Sequence, residues 1–308
     1  MKDKYDLLII GSGPAGLAAA IYARRARLKA AVIEKEMVSG GQVLTTYEVD
    51  NYPGLPGMGG VELGTKFREH ADGLGAEFIE DEVKEIRDLG SRKEVICQGG
   101  VYEGRTVIIA TGAVHRHLDV PGEDRLAGAG VSYCATCDGA FFRNKVTAVV
   151  GGGDVALEDA IFLSRICEKV YVIHRRDEFR GAKSLQETLF SLENVEVIWD
   201  TVVEEIQGEA KVEGVSLKNV KTGQTSVLEI QGLFIAVGIT PSSQPFQGLL
   251  EMDHGYIKAG EDCASSVPGI FAAGDVRTKQ LRQIVTAAAD GANAVTSAER
   301  YLSEHREA

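Results

Sequence analysis

Apolar residues along the chain gather in short runs that end in glycine-rich turns and lead into stretches of helical period. Residues 5–36 read YDLLIIGSGPAGLAAAIYARRARLKAAVIEKE: an apolar run, a G-x-G-x-x-G turn, a helix-period stretch and a second apolar run. Residues 145–176, KVTAVVGGGDVALEDAIFLSRICEKVYVIHRR, repeat that pattern 140 residues later. In register, Gly11 meets Gly151, Gly13 meets Gly153 and Gly16 meets Ala156. Leu17, Ala20 and Ile21 meet Leu157, Ala160 and Ile161. Each copy predicts a βαβ unit.

The turn chemistry points to a ligand. The first glycine lets the chain turn tightly, the second brings backbone N–H groups close to a pyrophosphate, and the third small residue lets helix and strand pack. The helix N-terminus adds partial positive charge. One such turn equally suits packing alone; two in register predict two bound dinucleotides. The end of the second strand separates them. In the first copy it carries Glu34, which can accept from a ribose and would repel a 2′-phosphate. In the second it carries His174, Arg175 and Arg176, with Arg180 four residues on, and guanidinium forks bind phosphate. The first copy therefore suits FAD or NAD, the second NADP. Asp154 lies inside the second turn, where a carboxylate either points away or opposes a pyrophosphate.

Three further apolar runs end in small-residue turns: Val107–Ala113 (VIIATGA), Leu233–Pro241 (LFIAVGITP) and Gly269–Val276 (GIFAAGDV). The first two follow their glycine turns at comparable distances, which suggests two domains of one build, the second inserted into the first. The borders are expected near 114–117 and 242–246. The expected division is 1–115 with 245–308, and 116–244 between them. The last helix-period run follows Gly274 and Asp275. Asp275 could accept from a sugar or ribityl hydroxyl, or simply belong to a helix cap.

Composition narrows the partners. A length of 308 residues suits two domains. A net charge of −12 argues against nucleic acid or an anionic membrane. Lacking an apolar segment of signal-peptide or membrane-spanning length, the chain is expected in the cytoplasm, where disulfides are mostly transient and catalytic. Of five cysteines, Cys97, Cys167 and Cys263 stand alone and read as small core residues. Cys134 and Cys137 form a C-x-x-C pair. Structural zinc wants four ligands, and neither His115 nor His117 belongs to a second pair of ligand spacing. A redox pair remains. Asp138 could pass a proton to or from a leaving sulfur, and equally suits a turn before Gly139. Phe141 and Phe142 suit a core, or an apolar rim for a docking protein.

Taken together, the chain resembles the low-molecular-weight, bacterial-type thioredoxin reductases, flavoproteins with two dinucleotide-binding domains. The resemblance runs nearly end to end. It rests on Gly11-Ser12-Gly13-Pro14-Ala15-Gly16, GGQ at Gly40–Gln42, NYPG at Asn51–Gly54 and ATG at Ala110–Gly112. It continues through CATCDG at Cys134–Gly139, GGGxxAxE at Gly151–Glu158, HRRxxxR at His174–Arg180, AAGD at Ala272–Asp275 and RQ at Arg282–Gln283. The glutathione-reductase branch has redox cysteines after the first glycine turn, and none stand there. Ferredoxin-dependent relatives lack the HRRxxxR cluster, which is present.

The resemblance implies an α/β fold of two Rossmann-like (three-layer ββα) domains, and NADPH-dependent reduction of thioredoxin through FAD and the cysteine pair. For FAD it implies Gly11 to Gly16, Glu34, Lys35, Gly41, Gln42, Asn51, Val83, Ala110, Thr111, Gly112, Gly274, Asp275, Arg282, Gln283 and Ile284. For NADPH it implies Gly151, Gly152, Gly153, Asp154, Ala156, Glu158, His174, Arg175, Arg176, Arg180 and Gly238. It implies that Cys137 faces the flavin, Cys134 attacks the partner disulfide and Asp138 is the acid. It implies a homodimer and no metal. Another acceptor, another donor (NADH, ferredoxin) and a non-catalytic redox sensor are the alternatives.

Overall fold

The structure is a computed structural model and describes residues 4–46, 49 and 51–305. The extreme residues of the N-terminal reading and of the expected first domain lie outside the described residues. In chain order, β1 (Lys4–Ile10), α1 (Pro14–Arg25), β2 (Ala30–Glu34), α2 (Gly60–Gly73) and β3 (Glu77–Glu80) lead into β4 (Val83–Asp88), β5 (Lys93–Cys97) and β6 (Val101–Ile109). After β7 (Ala113–His115) and β8 (Val131–Ser132) come α3 (Ala135–Asp138), β9 (Val146–Gly151), α4 (Asp154–Ser164), β10 (Lys169–Ile173) and α5 (Lys183–Phe190). Then follow β11 (Val195–Ile198), β12 (Thr201–Gln207), β13 (Gly214–Asn219), β14 (Thr225–Glu229), β15 (Gly232–Ala236) and β16 (Ile239–Pro241). The chain closes with β17 (Met252–Asp253), β18 (Tyr256–Ile257), β19 (Ile270–Ala272) and α6 (Ile284–Glu304).

Two compact units result. One runs to Leu44, resumes over Tyr52–Val114 and returns from Thr240 onward; the other holds the described residues of Thr45–Asn51 and His115–Ile239. The passages fall at 114/115 and 239/240, whereas the sequence suggested 115/116 and 244/245. The second comes earlier because the residues just past it bond into the first unit. Ser242 N–H donates to Gly112 O at 3.0 Å, and the Ser243 hydroxyl donates to Gly255 O at 2.5 Å.

In the first unit, β3-β2-β1-β6 run parallel. The long β6 then pairs antiparallel with β5 through its first half and parallel with β19 through its second. Alternation sends Leu7 and Ile9 to one face, packed with Leu17 and Ala20 of α1 and Ala294 of α6, and Leu8 and Ile10 to the other. The second unit repeats the scheme. Its parallel sheet, β11-β10-β9-β15-β8, lies between the α4–α5 layer and the antiparallel β12-β13-β14 sheet. Val149 and Phe234 face the helices; Ala148, Val150 and Leu233 face Ile206 and Val215. Both glycine-rich copies thus become strand–turn–helix at the centre of their sheets. The three solitary cysteines join the cores, where burial pushes the Cys97 and Cys263 thiols up to about 12.

Candidate functional site

The first glycine turn joins β1 to α1. Gly11 has φ +102°, and a Cβ there would lie 2.5 Å from Ala110 O. A Cβ at Gly16 would lie 1.9 Å from Gly11 O, whereas one at Gly13 would meet open space. The turn is therefore packed on the strand side and bare on the other, as a pyrophosphate cradle requires. Pro14 starts α1, Ala15 is buried, and no acid sits in the first helical turn. Glu34, at the end of β2, accepts from Ser12 N–H (2.7 Å), Ser12 Oγ (2.8 Å), Lys35 N–H (2.8 Å) and Glu36 N–H (3.1 Å). Its carboxylate locks the turn, so a ribose would share acceptors already engaged. Gly41 brings the next segment against the turn, its Cβ position 3.3 Å from Gly13 Cα, and Gln42 donates to Ala113 O. Val83 is half-buried against the core and Asn51 is exposed.

The same unit offers a second set of groups. Thr111 Oγ1 donates to Ser242 O at 2.6 Å beside Gly112. Asp275 Oδ1 and Arg282 Nε are buried without a hydrogen-bond partner among the described residues. Burial pushes the Asp275 carboxyl upward, opposed by Lys279 and Arg282. Gln283 caps α6 in a capping box with Thr286, and Ile284 is the first helical residue. Orphaned buried polar atoms call for partners, and the bare face of Gly13 calls for a ligand. A flavin dinucleotide fits both.

In the second unit the turn joins β9 to α4. Ala156 is buried beneath it, and a Cβ at Gly153 would meet open space. A Cβ at Gly152 would lie 2.2 Å from the His174 ring. His174 is only 4% exposed and packs against Phe179, while Arg175, Arg176 and Arg180 are exposed. The histidine thus forms the floor of the turn and the three arginines stand free to meet a phosphate. Asp154 is accounted for: its Oδ1 accepts from Ala182 N–H at 2.7 Å, drawing the start of α5 toward α4. Glu158 is exposed, and Gly238 (φ +123°) accepts from Arg116 N–H at 2.9 Å. A nicotinamide dinucleotide with a 2′-phosphate fits this donor set.

Cys134 and Cys137 form a disulfide with Cα atoms 5.3 Å apart. Cys134 is the N-cap of α3, whose first residue, Ala135, anchors it in the core. Ser132 ends β8; its hydroxyl donates to Asp138 Oδ2 at 2.6 Å and accepts from Cys134 N–H at 3.1 Å. Asp138 Oδ1 is buried and has no hydrogen-bond partner among the described residues. Burial raises the Asp138 carboxyl, and the Ser132 hydrogen bond pulls it partly back. A disulfide with a carboxyl poised to hold a proton is equipped for thiol–disulfide exchange. Phe142 is core, its ring filling the space that a side chain at Gly232 would need.

Several residues escaped the sequence reading. Ser132 lies two residues before Cys134 with only its position as a signal. Tyr133 donates to Glu123 Oε1 at 2.8 Å and sits 3.0 Å from His117 Nδ1. Glu123 also accepts from Leu118 and Asp119 N–H, fixing the segment that leads to the cysteines. Asp290, a buried acid in the alanine-rich α6, binds Arg277, Lys279 and Gly274 N–H.

Residues 5–291 match the family described as pyridine nucleotide-disulphide oxidoreductase. A thioredoxin reductase of Listeria monocytogenes serovar 1/2a is 46% identical over 98% of this chain and 95% of its own. One from Bacillus subtilis (strain 168) is 45% identical over 98% of this chain and 96% of its own. The crystal structure of thioredoxin reductase from Streptococcus pyogenes MGAS5005 superposes with a TM-score of 0.95 at 46% identity, covering 99% of this chain and all of that one (100%).

Proposed function

The chain belongs to the pyridine nucleotide-disulphide oxidoreductase family, and on that premise we propose that it works as a thioredoxin reductase, moving two electrons from NADPH through FAD and Cys134–Cys137 to thioredoxin disulfide. The observation that carries this is the conjunction of two dinucleotide turns with an oxidised C-x-x-C pair beside a buried carboxyl. When bound, FAD and NADPH supply the two-electron relay that the disulfide cannot draw from side chains. The Gly11–Gly16 turn, Asp275, Arg282 and the start of α6 would hold FAD; the Gly151–Gly153 turn and Arg175, Arg176 and Arg180 would hold NADPH.

The remaining work falls to residues of the chain. Reduced, the pair presents a thiolate at Cys134, which attacks the acceptor's S–S bond. Cys137 then displaces the acceptor and restores the 134–137 bond. Asp138, kept protonated to higher pH than a solvated aspartate, holds a proton for the sulfur that leaves. The assignment of Cys137 to the flavin side and Cys134 to the acceptor follows the family resemblance. A homodimer in the cytoplasm is the setting that we propose. No helix among the described residues is long and apolar enough to cross a membrane.

Anaerobic mixing of the purified flavoprotein with NADPH, and separately with NADH, tests the reading. NADPH alone should bleach the flavin rapidly; bleaching by neither would remove the donor. Arg175→Ala with Arg176→Ala should raise the KM for NADPH by about 10- to 100-fold, the loss of one or two charge-assisted hydrogen bonds, and leave that for NADH unchanged. Unaltered NADPH kinetics would remove the arginines from the phosphate site.

A further inference from the structure

We propose that Ser132 is a positioning residue of the disulfide chemistry: its hydroxyl ties one Asp138 oxygen to the Cys134 backbone and leaves the other oxygen free for proton exchange. The proposal rests on the reading of Asp138 as the proton carrier.

The geometry has three parts. Ser132 is 5% exposed and closes β8, which is held in the sheet by the pairing of Val131 with Leu233 and of Ser132 with Phe234. Its single proton goes to Asp138 Oδ2 at 2.6 Å, and its lone pair takes Cys134 N–H at 3.1 Å. One hydroxyl therefore bridges the first cysteine's backbone to the acid that follows the second. Asp138 Oδ1 stays buried and unpartnered among the described residues. A carboxyl with one oxygen tethered and one bare has a defined place for its proton, and a freely rotating one does not.

The step balances as follows. The Cys134 thiolate attacks a sulfur of the acceptor; the acceptor S–S bond breaks, and its other sulfur leaves with the electron pair and takes the proton held by Asp138. Cys137 loses its proton to Asp138 and attacks Cys134 Sγ, re-forming the 134–137 bond and releasing the second acceptor sulfur. The cysteine pair gives up two electrons and the one proton on Cys137, which Asp138 passes to the second departing sulfur; the other proton that the acceptor gains is the one Asp138 held at the start, and solvent replaces it. NADPH restores the dithiol.

Ser132 also governs the pH at which this happens, since a donor to a carboxylate favours its ionised form. Burial and the Ser132 hydrogen bond are the two influences on Asp138. The charged residues on the packed helix α4 are Asp154, Glu158 and Asp159. Arg165 lies just past its end, Arg143 and Lys145 follow the Phe141–Phe142 turn, and β15 carries none.

The experiment follows reduction of oxidised thioredoxin by NADPH-reduced holoenzyme in single turnover across pH, for wild type, Ser132→Ala, Ser132→Thr and Asp138→Asn. Asp138→Asn identifies the limb of the profile that belongs to Asp138. In Ser132→Ala that limb should move to higher pH, with a rate loss of roughly tenfold at neutral pH, a small part of what a positioned acid contributes. Ser132→Thr, which keeps the hydroxyl, should restore both. A wild-type limb and rate in Ser132→Ala, with the limb absent in Asp138→Asn, would overturn the proposal and leave the acid in place. A limb that persists in Asp138→Asn would instead remove the acid, and Ser132's part with it. Should alanine at 132 compromise the fold, Ser132→Gly, which also removes the hydroxyl, carries the test: a limb moved to higher pH supports the tether, and one at its wild-type position overturns it.

Discussion

Gly152 and His174 form a contact that neither residue announces alone. The ring lies where a Cβ at 152 would go, 2.2 Å away, and is itself wedged against Phe179 and Trp199. The second glycine turn thus depends on a missing side chain for packing as well as for phosphate approach. Gly152→Ala should lower the melting temperature through overpacking of about 1–3 kcal/mol. It should also raise the KM for NADPH while leaving flavin content unchanged, because the clash is confined to the second unit. Thermal denaturation, coenzyme titration and flavin absorbance check the three parts. His174, read from the sequence as one of a cationic cluster, is buried, and burial pushes its imidazole toward the neutral form. The exposed arginines are left to carry the charge.

At the scale of an element, α6 does more than cover the sheet. Gly291 lets it approach α1 closely, since a Cβ there would lie 2.1 Å from Ala15 O. The residue just before it, Asp290, receives Arg277 Nη2 at 2.7 Å, Arg277 Nε and Lys279 Nζ at 2.8 Å, and Gly274 N–H at 2.9 Å. The helix thereby holds the turn that presents Asp275. Burial works to raise the Asp290 carboxyl, and its Arg277 and Lys279 partners overcome it, so the carboxyl lies below the ordinary aspartate value. A folded value below the unfolded one adds stability at neutral pH, and the contribution is lost as pH falls through the carboxylate range. Asp290→Ala should cost about 3–5 kcal/mol, because two buried cations lose their carboxylate, and should release flavin. Asp290→Asn should flatten the acid side of the stability profile. Denaturation as a function of pH reads both.

For the whole molecule, one architecture used twice predicts separable responses to two ligands. FAD added to apoprotein should slow amide exchange around residues 11–16, 110–112 and 274–284. NADP⁺ should slow it around 151–154 and 175–180. Each ligand at a hundred times its Kd stabilises the state that binds it by about 2.7 kcal/mol. Protection of both sets by one ligand would contradict the division of labour. Much of this plan was legible along the chain. The 140-residue repeat, the two G-x-G-x-x-G/A turns, the apolar strands and the C-x-x-C pair are local patterns. Alternation and turn chemistry are properties of neighbouring residues and are read without a fold. Tertiary structure decided which side chains meet. It put the second passage at 239/240, used Glu34 and Asp154 to fasten loops, set His174 beneath a glycine and joined Ser132 to Asp138. Those partners are chosen by strand register and burial, and a polar group removed from water takes whatever donor or acceptor the packing brings within reach.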